Sequence, residues 1–99
     1  MIVIAGYFRV PSAVSAEFAP HLKAYAATVR TEPGCREFSA SFDVDDPEKV
    51  RVFEIYDDRA AFDAHGKTAH LAAWKETRAR YGVTERVIHL YDVSSVEAV

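Results

Sequence analysis

The sequence predicts an α+β fold: one antiparallel four-stranded sheet with helices on one face, in the split β-α-β arrangement. Three observations predict it. Four segments rich in β-branched and aromatic residues alternate with period two, and other stretches carry apolar residues at helical spacing. Proline, glycine and aspartate punctuate the joins. The resulting order is strand, helix, strand, strand, helix, strand, with a short helical turn ahead of the second helix.

Ile2 to Val10 reads as the first strand, with Ile2, Ile4 and Phe8 on one side and Val3, Ala5, Tyr7 and Arg9 on the other. Both sides are mostly apolar, which predicts a strand covered twice. Beyond Pro11-Ser12, a helix is expected from Val14 to Thr31, its face formed by Phe18, Leu22, Tyr25, Ala26 and Val29. Ser12 or Ser15 is the candidate cap, and Glu17 suits the first turn. Pro20 removes a backbone donor, so the helix should kink or start late. Pro33-Gly34 ends it, glycine supplying a left-handed residue.

Glu37 to Val44 alternates: Phe38, Ala40, Phe42 and Val44 are assigned inward, Glu37, Ser39, Ser41 and Asp43 outward or to a polar cavity. Asp45-Asp46-Pro47-Glu48 reads as a hairpin turn. The third strand, Val50 to Asp57, puts Val50, Val52, Glu54 and Tyr56 on one face, opposite Arg51, Phe53 and Ile55. Asp57 or Asp58 should cap a short helix from Arg59 to His65, broken by Gly66. A second helix from about Thr68 to Arg80 carries Leu71 and Trp74 and stops at Gly82. Arg86 to Val93 is the last strand, Val87, His89 and Tyr91 lying opposite Ile88 and Leu90.

At 99 residues and 49% hydrophobic content the chain suits one domain with a real core, assigned here to 1–93. Residues 94–99 read as a tail or dimer arm. Both sheet faces are apolar but helices cover one, so a homodimer packed sheet to sheet is expected. No stretch approaches a membrane span, and the start reads as a strand rather than a signal peptide, which predicts a cytoplasmic protein without a membrane partner. The formal charge of −3 gives no footprint for nucleic acid. One cysteine, Cys35, excludes an internal disulfide.

Glu32-Pro33-Gly34-Cys35 with Phe38, then Asp46-Pro47, Phe53-Glu54-x-Tyr56, Phe62-x-x-His65 and Thr68-x-His70-Leu71, resembles the antibiotic biosynthesis monooxygenase family. The resemblance runs from the first strand to the last. It implies a ferredoxin-like domain that pairs as a dimeric α/β barrel. Members include cofactor-independent monooxygenases of anthrones and quinols, heme-degrading monooxygenases and an isomerase of a phosphorylated signalling sugar. The heme-degrading branch carries an asparagine, a tryptophan and a heme-ligating histidine where this chain has Tyr7, His65 and Lys75, so heme cleavage is not implied.

Oxygenation without a cofactor needs an electron-rich substrate, a base to make its anion, donors to hold the oxyanion, and a dry cavity. The expected catalytic residues are His65, as base or oxyanion donor, with Glu54 to orient it and Tyr56 beside them. Tyr7, Trp74 and Phe38 are the expected substrate-binding residues. The implied ligand is a small aromatic or quinone-like molecule, with no cofactor. The same residues would serve a small-molecule isomerase using His65 as an acid–base group, or line a non-catalytic binding dimer. Each also has a plainer use: His65 as helix cap, Glu54 in a structural ion pair, the tyrosines at the sheet rim, Trp74 in the core. A metal is not expected, because His65 and His70 are five apart across a glycine and no acidic third ligand is evident. His70 reads as exposed or capping, and Cys35 as a small buried residue.

Overall fold

The computed structural model describes residues 1–99. Its elements are β1 (Ile2–Arg9), α1 (Ser15–Val29), β2 (Cys35–Phe42), β3 (Lys49–Tyr56), α2 (Arg59–His65), α3 (Ala69–Arg80) and β4 (Thr84–Asp92). The strands form one sheet in the order β2-β3-β1-β4, every neighbour antiparallel. This is the ferredoxin-like α+β arrangement the sequence predicts. Residues 94–99 follow β4 without helix or strand. No helix is long and apolar enough to cross a membrane.

Strand parity decides which side chains meet the helices. Ile4 pairs with Glu54, and Phe38 pairs with Glu54 from the other side, so these three project to one face. That face also carries Phe8, Val50, Val52 and Tyr56, and α1 lays Phe18, Leu22, Tyr25, Ala26 and Val29 on it. Trp74 of α3 completes the layer, stacked on Tyr25 with ring centroids 4.5 Å apart and tilted against Phe18. The opposite face stays open: Phe53, Val87 and Tyr91 are all exposed.

Several local expectations need correction. Strand β2 begins at Cys35 and ends at Phe42; Val44, assigned to the core, is 98% exposed because the chain has already left the sheet. Helix α1 neither starts late nor needs a serine cap. It begins at Ser15 after Val14, without a side-chain cap, and runs through Pro20. The proline's missing N–H orphans only the carbonyl of Ala16, an exposed residue whose oxygen water can serve. The other caps hold: Asp58 accepts from the amide of Ala61, and Thr68 from that of Leu71.

Two glycines permit close approaches that shape the domain. Gly6 lies opposite Ile88 where β1 pairs with β4, and a Cβ there would sit 2.0 Å from the carbonyl oxygen of Val87. Gly34, with φ of +81°, lets the turn after α1 press on α2, where a Cβ would stand 2.6 Å from that of Ala61. The second approach carries Glu32 to the site.

Candidate functional site

Glu32 sits in the turn that Pro33 and Gly34 define, and the turn delivers its carboxylate to the end of α2. There both its oxygens lie 3.0 Å from Nδ1 of His65, and Oε2 also meets Nε2 of His70 at 2.5 Å. The His65 and Glu32 side chains are nearly closed to solvent, at 7% and 9% exposure. A carboxylate can only accept, so Nδ1 of His65 donates and carries the ring proton. In the neutral ring Nε2 then has its lone pair free; in the imidazolium both nitrogens donate. Nε2 faces Glu54, whose Oε1 is 4.0 Å away.

Glu54 is buried on β3, two residues before Tyr56 on the same face. The Tyr56 hydroxyl donates to Glu54 Oε1 over 2.6 Å. Burial pushes the Glu54 carboxyl above its ordinary value, against the opposing pull of that hydrogen bond and of the His65 and Arg86 charges. The Tyr56 phenol is pushed up strongly, first by burial and then by the neighbouring Glu54 charge. It therefore stays a donor.

Beside this group opens a cavity of about 340 Å³. Glu54 and His65 form its polar floor, Ile4, Phe62, Leu71 and Ile88 part of its apolar wall, and Lys75, Arg78 and Arg86 its cationic side. A narrow recess of about 40 Å³ extends inward past Glu54 and His65 to Tyr25, Phe38 and Trp74.

The structure thus brings together His65, Glu54 and Tyr56. Phe38 and Trp74 reach only the inner recess; they are 4% and 7% exposed and belong to the core packing. Tyr7 does not join them. It pairs with Arg51 and Val87 on the opposite sheet face, where the Lys49 ammonium lies 4.4 Å from its ring centroid. The carboxylate hydrogen-bonded to His65 is that of Glu32; Glu54, expected in that place, stands 4.0 Å from the other ring nitrogen. His70 is neither exposed nor a cap; it is half-buried against the same carboxylate. Cys35 is half-buried with its thiol pushed up by burial, so it stays protonated and unreactive.

The ground for dismissing a metal also falls. Glu32 is the missing acidic group: one ligating atom from each of Glu32, His65 and His70 lies within 4.8 Å of the others. Two imidazoles and a carboxylate are a donor set that suits zinc or iron. In this structure the three are joined directly by hydrogen bonds, Glu32 accepting from both rings.

Compared with known proteins, residues 1–77 match the model of the antibiotic biosynthesis monooxygenase family. The chain belongs to that family. Its fold is shared by a candidate antibiotic biosynthesis monooxygenase from Deinococcus radiodurans, with a TM-score of 0.94 at 20% identity over 100% of this chain and 98% of that one. A similarly described protein from Nitrosomonas europaea has a TM-score of 0.85 at 26% identity, covering 96% of this chain and all of the other. An uncharacterized protein of Synechocystis sp., sll1783, is 26% identical over 96 residues, or 97% of this chain; the chain spans 65% of that protein's length.

Proposed function

We propose that this family member is a cofactor-independent monooxygenase of a small aromatic, quinol-type substrate. The observation that carries the reading is the Glu32–His65 pair: a buried carboxylate holds Nδ1–H, so in the neutral ring Nε2 presents its lone pair to the cavity. That is the arrangement of an oriented general base.

In this reading Nε2 takes the proton from an activated C–H or phenolic O–H of the substrate. The resulting anion is held by the cationic side of the cavity and passes one electron to dioxygen. Recombination of the two radicals forms a carbon–oxygen bond and a peroxide. Loss of the remaining C–H proton from the oxygenated carbon and cleavage of the O–O bond leave a carbonyl there and release water. One oxygen atom enters the substrate and the other becomes water, so an activated CH2, or a ring C–H beside a quinol oxygen, becomes C=O, the substrate itself supplying the electrons. His65, as imidazolium, returns its proton to the departing hydroxide. Glu32 stabilises the imidazolium, and the raised Glu54 carboxyl stands 4.0 Å from the ring as a second proton-exchanging group.

The open sheet face supports a homodimer. Phe53, Val87 and Tyr91 are each at least 40% exposed on one surface, together with Val3, Ala5 and Ile55. A second copy packed on it would bury that patch.

An oxygen electrode with a panel of hydroquinones and anthrones, with and without a carboxylate or phosphate group, tests the reading. Uptake is expected with at least one of them and is expected to vanish in His65→Ala. No uptake from any would overturn it, and proton exchange from heavy water without uptake would assign the same base to an isomerase.

A further inference from the structure

Most arginines of this chain are engaged. Arg9, Arg36, Arg51 and Arg59 each pair with a carboxylate. Arg30 donates to the carbonyl of Phe38 over 2.9 Å, and Arg80 lies over the ring of Tyr81. Arg78 and Arg86 have no such partner: neither makes a side-chain hydrogen bond, an ion pair or a ring contact. Both line the cavity and its inner recess, and Lys75 lines the cavity beside them.

Lys75 and Arg86 are exposed, so the cost of bringing these like charges together falls on Arg78. Arg78, on the last turn of α3, is half-buried; burial and the like charge of Arg86 both pull its pKa down. The one acid in the cavity wall, Glu54, is already bound by Tyr56 and lies deeper. Nor does a general excess of base explain the cluster, because the chain carries a net charge of −3. Two guanidinium forks facing one cavity across from a proton-accepting histidine match the planar oxygens of a carboxylate or phosphate.

We infer that Arg78 and Arg86, helped by Lys75, form an anion clamp, so that the substrate is an aromatic or quinol bearing a carboxylate or phosphate group. The inference rests on the monooxygenase reading for the word substrate, but the clamp itself is a statement about binding. The anionic group anchors at the α3–β4 side and points the reactive carbon at Nε2 of His65. Neutral hydroquinones of the same size lack that anchor.

Binding of unreactive probes tests the clamp apart from any oxygen chemistry. Titration calorimetry with benzoate, phenyl phosphate and phenol should give binding of the anions roughly tenfold or more tighter than phenol, since hydrogen bonds to charged groups are the strong ones. The stronger of the two anions names the anchoring group. Arg78→Met with Arg86→Met should abolish the preference, while raised salt should weaken it in the wild type. Equal affinity for phenol and both anions would overturn the inference, as would a preference that survives the double variant. Should that variant not fold, the wild type alone decides: benzoate or phenyl phosphate must raise the melting temperature more than phenol does. Oxygen uptake with gentisate against hydroquinone then separates the two readings. Anion-selective binding without uptake would leave the clamp standing and remove the monooxygenase.

Discussion

Replacing Glu32 with glutamine perturbs the site at one atom and one charge. In the wild type one carboxylate oxygen accepts from His65, and the other is shared between His65 and His70. A glutamine offers a single acceptor oxygen, and its NH2 group faces an imidazole N–H across the other contact. One ring must lose its partner or change tautomer. A charge-assisted hydrogen bond lost in a nearly closed site amounts to about 1.5–3 kcal/mol. At about 4–8 °C per kcal/mol for a domain of this size, the melting temperature should fall by roughly 10 °C. If His65 changes tautomer, Nε2 acquires the proton and the base is lost, which should lower kcat by about 10²–10⁴-fold. Imidazole 15N spectra report the tautomer directly. His65 should show protonated Nδ1 and bare Nε2 in the wild type, and lose that pattern in Glu32→Gln. A wild-type His65 protonated at Nε2, or a variant with unchanged tautomer and kcat, would refute the argument.

Glu54→Gln keeps an acceptor for Tyr56 but removes a carboxyl that burial holds above its ordinary value of 4.5. Above pH 4.5 the unfolded chain releases that proton while the folded protein still holds it, so wild-type stability falls as pH rises toward the raised value. The variant should therefore gain stability relative to wild type over that interval, read from urea midpoints; a pH-independent difference would contradict it. Trp74→Ala removes a buried ring stacked on Tyr25 and should cost about 3–5 kcal/mol in urea unfolding. Phe53→Glu on the open sheet face should convert a dimer to an 11.1 kDa monomer in sedimentation; a wild type that is already monomeric at micromolar concentration refutes the interface. Dialysis against EDTA should leave oxygen uptake unchanged, and loss restored by zinc or iron would instead assign the Glu32–His65–His70 cluster to a metal.

The sheet was legible because its information is local. Alternation on Val50–Tyr56 places Glu54 and Tyr56 on one face, and their hydrogen bond follows from a two-residue separation. Turn residues set the element order for the same reason. The partner of His65 was not legible: Glu32 stands 33 residues away in a motif that reads as a turn, and only the folded approach at Gly34 reveals its second use. Tyr7 was misplaced because its face relative to Glu54 depends on the β1–β3 register, which no pattern within β1 specifies. Arg78 and Arg86 look like ordinary surface charges in a sequence. What sets them apart is the lack of a counter-ion, and a lack is visible only when every neighbour is placed.

Oxygen-18 labelling of a turnover follows both atoms of dioxygen to where His65 chemistry would send them. With labelled dioxygen and an oxidisable carboxylated hydroquinone such as gentisate, each product molecule should carry one labelled atom and the released water the other, and both should be lost in His65→Ala. Unlabelled product, or label recovered as hydrogen peroxide, would contradict that chemistry.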